Sequence, residues 1–271
     1  MRREIIVIVT LGLMITATFS FFETHAETVV PTLSVGDQWS YGWFNGEFTG
    51  EVGGHKMTVT VDRMEDIEGV PCYVCIYEHQ PDAYENHTQT VWITSDWVIL
   101  KHEIYDVLPG VETIITFTWN PGMKMYDFPL TVGKEWADRS YRTIEQTIWE
   151  FGNEETGTAT DYIDWSRKVV STETVAVPAG TFETHAVEGF GADALVGGWQ
   201  RHYFSPDAKN HVKMEGTGEG GGGHVLTSYD LVPKDNSSSN LYLAIPLATS
   251  IGILGFTYLL YNRRNRDKWG T

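Results

Sequence analysis

Cysteine is scarce in this sequence: only Cys72 and Cys75 occur among 271 residues. Two cysteines cannot build a disulfide framework or a zinc site with four cysteine ligands. On an extended strand their Cα atoms lie about 10 Å apart and their side chains point to opposite faces. A disulfide needs less than about 7 Å between these atoms. We therefore expect two packed thiols, with a disulfide across a turn as the alternative.

Basic side chains are also few. The chain has 19 Lys and Arg against 36 Asp and Glu, and its net charge is −17. Both ends are basic, so residues 27–240 hold 33 acidic and only 13 basic side chains. Nucleic acids and anionic lipid headgroups are bound through Lys and Arg, which displace counterions from phosphates. The charge therefore excludes nucleic acid as a partner and leaves cations or basic partners.

Motifs that identify an enzyme are missing as well. The sequence has no Gly-x-Ser-x-Gly elbow, no His-Glu-x-x-His pair and no phosphate-binding loop. The glycine-rich residues 218–223 lack the Lys and Ser or Thr that such a loop requires. Carboxylates are so numerous that no pair stands out as acid and base. We predict no catalytic residue, no metal ligand and no cofactor, and we do not expect an enzyme.

Helical periodicity is absent outside one apolar span, and the rest of the pattern is typical of β-strands. Residues 56–61 alternate polar with apolar side chains, as a half-buried strand does. Asn45-Gly46 between two aromatic pairs indicates a tight hairpin. Further runs rich in β-branched and aromatic residues occur at 90–97, 111–119, 143–151, 168–177 and 181–187. We predict an all-β fold of roughly twelve antiparallel strands, arranged as curved sheets or half-barrels.

The sequence repeats itself weakly. Residues 35–39 (VGDQW) correspond to residues 132–136 (VGKEW), and residues 69–73 correspond to 176–182. The repeat predicts two similar β units, 27–127 and 128–233. Two curved sheets and one continuous larger sheet fit this pattern equally well.

Both chain ends carry apolar segments flanked by arginine. Residues 1–26 have the plan of a signal peptide, with small residues before a cleavage site after Ala26; an uncleaved anchor is the alternative. A polar linker, 234–240, precedes an uncharged stretch, 241–261, that is long enough to span about 30 Å as a transmembrane helix. Residues 262–271 form a basic tail, which the positive-inside rule places in the cytoplasm.

These ends predict a single-pass protein of the cell membrane, with the residues between them outside the cell. The membrane bilayer is then one partner, through the C-terminal helix. The spacer, span and basic tail also fit a cell-wall sorting signal, whose tail is later removed. In such a compartment Asn86 and Asn236 are candidate glycosylation sites, because each begins an Asn-x-Ser/Thr motif.

Histidines and tryptophans are the remaining candidates for a site. The histidines are scattered, and a chance surface distribution is the simplest interpretation. Neighbouring strands could still bring together His202, His211 and Glu215, or His79, Glu78 and His102, as a weak metal site. Nine tryptophans lie in the exported part. They fill a core, or some of them bind an apolar or saccharide ligand; the candidate ligand-facing aromatics are Trp92, Trp97, Trp119 and Trp149.

The second half also resembles a family. Residues 128–136 (FPLTVGKEW) are followed by 177–182 (VPAGTF), 203–206 (YFSP) and 226–231 (LTSYDL). This order is similar to that of an uncharacterised family of exported β-rich proteins of bacteria and archaea. The resemblance implies a β fold, and it implies no catalytic position, because each motif consists of a turn and a strand.

Three classes of function follow from these observations. We favour a non-catalytic binding or envelope-interaction ectodomain at the cell surface, of unknown ligand. An extracytoplasmic hydrolase is the second class, and it predicts two acids, or two histidines and an acid, within about 5–9 Å. A structural component of the envelope is the third.

Overall fold

The computed structural model of the protein describes residues 29–80, 87–191, 198–216 and 222–233. These residues form twelve antiparallel strands in one closed barrel, in which each strand pairs with the next and β12 pairs with β1. The strands are β1 Gln38–Asn45, β2 Lys56–Ile67, β3 Val70–Gln80, β4 His87–Thr94, β5 Val98–Leu108, β6 Val111–Lys124, β7 Glu135–Glu150, β8 Asn153–Val177, β9 Gly180–Gly191, β10 Gly198–Ser205, β11 Asn210–Gly216 and β12 Gly222–Asp230.

The all-β, antiparallel part of the prediction is confirmed, but the arrangement in two units of curved sheets or half-barrels is wrong. The sheet continues across the proposed boundary, since β6 and β7 pair from Val111 with Glu150 to Asn120 with Tyr141. At the other side, β1 and β12 pair from Gln38 with Asp230 to Asn45 with Gly222. Closure gives every strand two partners, but residues 153–164 of β8 pair only with β7 among the described residues, so this part of β8 keeps one open edge.

The weak sequence repeat nevertheless has a structural counterpart within the barrel. Gly36 and Gly133 both adopt positive φ, at 98° and 90°. The Gly36 amide donates to the Val61 carbonyl at 2.7 Å, and the Gly133 amide donates to the Val169 carbonyl at 2.8 Å. In both cases the strand that contains the accepting valine, β2 or β8, has a β-bulge directly after that valine. The repeat therefore marks two six-strand halves of one sheet.

Alternation along the strands fills the interior. In β2, Met57, Val59 and Val61 are buried, and the residues between them are polar. We define the base of the barrel as the end where β1 begins and β12 ends. An aromatic cluster packs there, in which the ring of Phe204 lies 4.7 Å from that of Tyr126 and 5.7 Å from that of Trp97.

The tight hairpin predicted at Asn45-Gly46 does not form. β1 ends at Asn45, and β2 begins only at Lys56. Gly46 does adopt a positive φ of 67°, but the chain then folds back along β1. The Gly53 amide donates to the Trp43 carbonyl at 2.6 Å, and the Trp43 amide donates to the His55 carbonyl at 3.3 Å. This connection places His55 beside the upper end of the barrel, opposite the base.

Several predicted features lie outside the described residues. These are the signal peptide, Asn86, Asn236, the polar linker, the helix over 241–261 and the basic tail. The unit that contains the barrel ends at Leu231, and residues 232–271 form a second unit, of which the structure describes Val232 and Pro233. Among the described residues there is no helix of the length and apolarity needed to cross a bilayer.

The two cysteines are free and buried, as expected. Cys75 faces the interior core, whereas Cys72 packs on the outer face against Val74 and Trp92. Burial raises the pKa of the Cys75 thiol to about 12. Neither thiol is therefore arranged for redox or metal chemistry.

Candidate functional site

Histidine side chains line the upper interior of the barrel. Paired residues of antiparallel strands share a face, so His79 faces inward beside Met57 and His102 faces inward beside Val91. We call the whole set the histidine belt; its members are His55, His79, His87, His102, His202, His211 and His224.

Gln89 is the centre of one half of the belt. Its amide nitrogen lies 3.4 Å from His79 Nε2 and 2.9 Å from His87 Nε2. Its amide oxygen lies 3.0 Å from His102 Nε2. His79 Nδ1 in turn contacts His55 Nε2 at 3.2 Å, and His87 Nδ1 contacts the carboxylate of Asp106.

One assignment of protons satisfies all of these contacts. The amide nitrogen of Gln89 can only donate, so Nε2 of His79 and Nε2 of His87 must both accept. A neutral imidazole then carries its proton on Nδ1, from which His87 donates to Asp106 and His79 donates to His55. His102 donates from Nε2 to the oxygen of Gln89. These three imidazoles are thus held in defined tautomers by one amide side chain.

The other half of the belt is more deeply buried. His211 Nε2 and His224 Nε2 lie 2.7 Å apart, and the His211 ring stacks on Tyr41 with centroids 5.0 Å apart. Burial lowers the pKa of His211 to about 4 and lowers the pKa values of His202 and His224 well below the usual range. These imidazoles are neutral at physiological pH.

An apolar wall continues the upper interior on β6 and β7. Ile115 follows the inward pattern of buried Phe117, and Ile144 pairs with Phe117 while Ile148 pairs with Thr113. These three isoleucines are partly exposed, although they face inward. His102 joins this wall to the belt, because its ring lies 5.8 Å from Phe117 and stacks parallel to Trp119 at 6.5 Å.

The charges of this interior are paired. Arg142 is 2% exposed in its side chain and donates to Asp161 through two bonds of 3.0 and 2.6 Å. Its guanidinium also lies 5.6 Å from the Phe117 ring. Because the charge of Arg142 is matched by a carboxylate and the buried imidazoles are neutral, the isoleucine wall has little net charge to attract an ionic ligand. Arg167 is a second cation of the interior, and its charge adds to burial in lowering the pKa of His202.

Three indole donors of the interior have no partner among the described residues, one of them that of Trp165 on β8. The indole Nε1 atoms of Trp43 and Trp119 are buried and unsatisfied. Trp43 pairs with His224 and Trp119 pairs with Arg142, so both side chains face the interior. A buried donor without a partner costs about 1–3 kcal/mol, and a ligand with acceptor oxygens would remove this cost.

The predicted ligand-facing tryptophans are not together. Trp119 lies in the interior beside His102, whereas Trp97 is part of the aromatic cluster at the base. Trp92 packs on the outer face under Lys101, whose ammonium is 4.2 Å from the ring. Trp149 alternates with inward-facing Ile148 and therefore also faces outward.

In both histidine groups considered from the sequence, the two histidines lie close together and the glutamate does not. The rings of His202 and His211 have centroids 5.6 Å apart, and Gln89 contacts both His79 and His102. Glu78 is exposed and alternates with inward-facing His79, so it lies on the opposite face of β3. Glu215 accepts from the Tyr203 hydroxyl at 2.8 Å on the outer face. Within the described residues, no three His, Cys, Asp or Glu side chains are grouped as a metal site.

Sequence reasoning missed the histidine belt, although a signal was present. His79 follows Cys75 and Tyr77 at the spacing of one strand face, and His87 and Gln89 precede Val91 at the same spacing. What the pattern could not show is the register that brings β3, β4 and β5 together.

Comparisons with known proteins provide two distant structural similarities. No known family matches the sequence, and no curated protein does. One similar solved structure is a protein assigned as exported, with a YmcC-like fold, from Bacteroides fragilis; it is 14% identical over 75% of this chain and 99% of its own, with a TM-score of 0.42. Another, assigned as a lipoprotein of Parabacteroides distasonis, has the same identity and coverage and a TM-score of 0.37. Likeness at this level does not assign a function.

Proposed function

We propose that the protein is an exported, non-catalytic binding protein that holds a neutral amphipathic ligand in the upper interior of its barrel. The apolar part of the ligand lies against Ile115, Ile144 and Ile148. Its polar part carries acceptor oxygens and meets the histidine belt and Trp119. Glycolipids, acylglycerols and apolar saccharide derivatives have this chemistry.

The observation that supports the proposal most directly is the pair of unsatisfied indole donors, Trp43 and Trp119. Both lie beside inward-facing groups that can accept or donate hydrogen bonds. The inward-facing isoleucines are partly exposed, so their side chains are accessible to a ligand. Burial of one such side chain by a ligand contributes about 1–2 kcal/mol.

Neutral ligands are favoured over ions by the electrostatics. The pKa of His79 is lowered to about 4, first by burial and then by the neighbouring His87 and His55. An anion would find no protonated imidazole at pH 7 in the buried half of the belt. A bulky cation would compete with Arg142, which already occupies Asp161.

The location of this binding protein is part of the proposal. The signal pattern of residues 1–26 and the apolar span of residues 241–261 with its basic flank support export and a membrane tether, with the barrel outside and the C-terminus inside. The resemblance to exported β-rich proteins of bacteria and archaea supports the same location. Protease added to intact cells should digest the barrel, and its protection would contradict the topology.

The ligand proposal is tested with the full chain reconstituted in nanodiscs. A monoacylglycerol brominated along its chain quenches nearby indoles, so titration should give saturable loss of tryptophan fluorescence. Ile115→Asp should abolish the saturable part. Ile114→Asp is the matched control, because Ile114 is the next residue and faces outward.

Equal quenching of the wild type and Ile115→Asp would contradict the proposal. A second titration with a neutral oligosaccharide that lacks an acyl chain distinguishes the two parts of the ligand. Binding of the sugar alone, with no response to the brominated lipid, would indicate that the ligand contacts the aromatic and histidine groups and does not contact the isoleucine wall.

A further inference from the structure

We propose that His79 and His87 form a site for a divalent transition metal ion, which takes the position now held by the amide group of Gln89. This inference goes beyond the ligand proposal and does not depend on it. It is carried by the convergence of two imidazole lone pairs on one point inside the barrel.

The first step is the direction of the lone pairs. Nε2 of His79 and Nε2 of His87 both contact the same amide nitrogen, at 3.4 and 2.9 Å. That nitrogen offers only hydrogens, which carry partial positive charge, so both ring nitrogens present lone pairs to it. A metal ion bound at about 2.0–2.1 Å from each nitrogen would use the same two lone pairs.

The second step is the support behind each imidazole. His87 donates from Nδ1 to Asp106, and His79 donates from Nδ1 to His55 at 3.2 Å. A metal-binding histidine commonly donates its other ring N–H to a carboxylate or another acceptor, which fixes the tautomer and the ring orientation. Both rings therefore already have the partner and the tautomer that metal binding through Nε2 requires.

The third step concerns room and access. The two rings have centroids 4.7 Å apart at an angle of 73°, which is compatible with their sharing one ion. Both side chains are partly exposed, so water can complete the coordination. Because the Gln89 amide nitrogen lies against both Nε2 atoms, the ion can enter only when this side chain turns aside.

The chemistry selects the class of ion. Imidazole nitrogen suits Zn²⁺, Cu²⁺ and Ni²⁺, whereas Mg²⁺ and Ca²⁺ require oxygen ligands. The His211–His224 pair is a less suitable site, since its nitrogens face each other directly at 2.7 Å and no polar side chain there stands in the position of a cation.

The test uses the full chain without a histidine tag, titrated at pH 7.5 with ZnCl₂ by calorimetry and with CuCl₂ by electron paramagnetic resonance. We expect one ion per chain, and nitrogen hyperfine splitting from two imidazoles in the copper spectrum. H79A and H87A should each lower the affinity at least 100-fold. H185A is the matched control, because His185 lies on β9 and is not a member of the histidine belt, and it should bind as the wild type does.

Two further variants separate metal binding from a structural role. D106N should weaken binding about 10- to 100-fold, because the carboxylate orients His87. Q89A should bind at least as tightly as the wild type, since it removes the group that competes for both lone pairs. Circular dichroism checks that each variant is folded.

Three results would overturn the inference. These are absence of stoichiometric binding to the wild type, unchanged binding in folded H79A and H87A, and loss of binding in folded Q89A. Failure of metal binding leaves the fluorescence titration with the brominated lipid unaffected, so the two proposals fail separately.

Discussion

The two ends of the barrel have different kinds of side chain in their interiors. At the base, Trp97, Tyr126 and Phe204 pack ring against ring. At the upper end, imidazoles, an amide and inward-facing isoleucines share the interior, and buried indole donors, including those of Trp43 and Trp119, stay unsatisfied. The base has the composition of a core, and the upper end has that of a binding site. Stability and binding should therefore respond to mutations at opposite ends.

The largest expected effect is a loss of folding stability when the base of the barrel is mutated. Phe204 is fully buried against Tyr126 and Phe128, so Phe204→Ala should lower the free energy of unfolding by about 4 kcal/mol. The matched change at the upper end, Ile148→Ala, should cost less than about 1 kcal/mol, because the side chain is already partly exposed. Guanidinium unfolding measures both. Equal losses would show that the upper end is as well packed as the base.

The second largest expected effect is a loss of folding stability in acid, caused by the buried histidines of the upper end. The pKa of His211 is about 4 in the folded protein and about 6.5 in the unfolded chain. The unfolded state therefore binds the proton first, and stability is lost as the pH falls from about 6.5 towards 4, by roughly 3 kcal/mol for this group.

Unfolding measured at pH 7.5 and pH 4.5 checks this, with two variants as comparison. His211→Gln should reduce the difference between the two pH values, whereas Phe204→Ala should keep the full difference although it is less stable overall. If His211→Gln keeps the wild-type difference, the acid sensitivity comes from elsewhere.

A smaller effect, on ligand affinity, is expected when one hydrogen-bond donor of the binding site is removed. Trp119→Phe retains an aromatic ring but removes the buried, unsatisfied indole donor. We expect an unchanged or slightly higher stability, and about 5- to 10-fold weaker binding of the amphipathic ligand, which corresponds to one lost hydrogen bond. Fluorescence of the remaining tryptophans reports both. Weaker folding with unchanged affinity would mean that Trp119 belongs to the core.

The smallest effect is expected from the cysteines, one on each face of β3. Cys72 and Cys75 are free and buried, and burial raises both thiol pKa values. A thiol reagent should label neither in the native protein and both after unfolding. Rapid labelling of one thiol in the native state would show that β3 opens locally.

The sequence predicted the elements better than their arrangement. Alternation identified strands such as β2, and about twelve strands were expected and found. The pairing of Gln38 with Asp230 could not be foreseen, because it joins residues at opposite ends of the barrel sequence. The repeated glycine turns at Gly36 and Gly133 were visible, but similar turns occur equally well in two sheets and in one.

The candidate site was less predictable than the fold. Gln89 has no motif around it, and its three histidine partners come from three strands. Tryptophan count drew attention to Trp92 and Trp149, which the alternation of β4 and β7 turns outward. Only the register between neighbouring strands distinguishes such residues from Trp119, and register depends on long-range packing that a single sequence does not specify.

The pairing of Gln38 with Asp230 has a consequence for protein engineering. The first and last strands are neighbours, so a short linker could join them and new termini could be opened at the two-residue hairpin of Glu68 and Gly69. Such a rearranged chain would keep all of the strand pairs and would lose only the covalent turn between β2 and β3. Because this turn also lies at the base, reporter groups could be attached to the new ends without approaching the histidines.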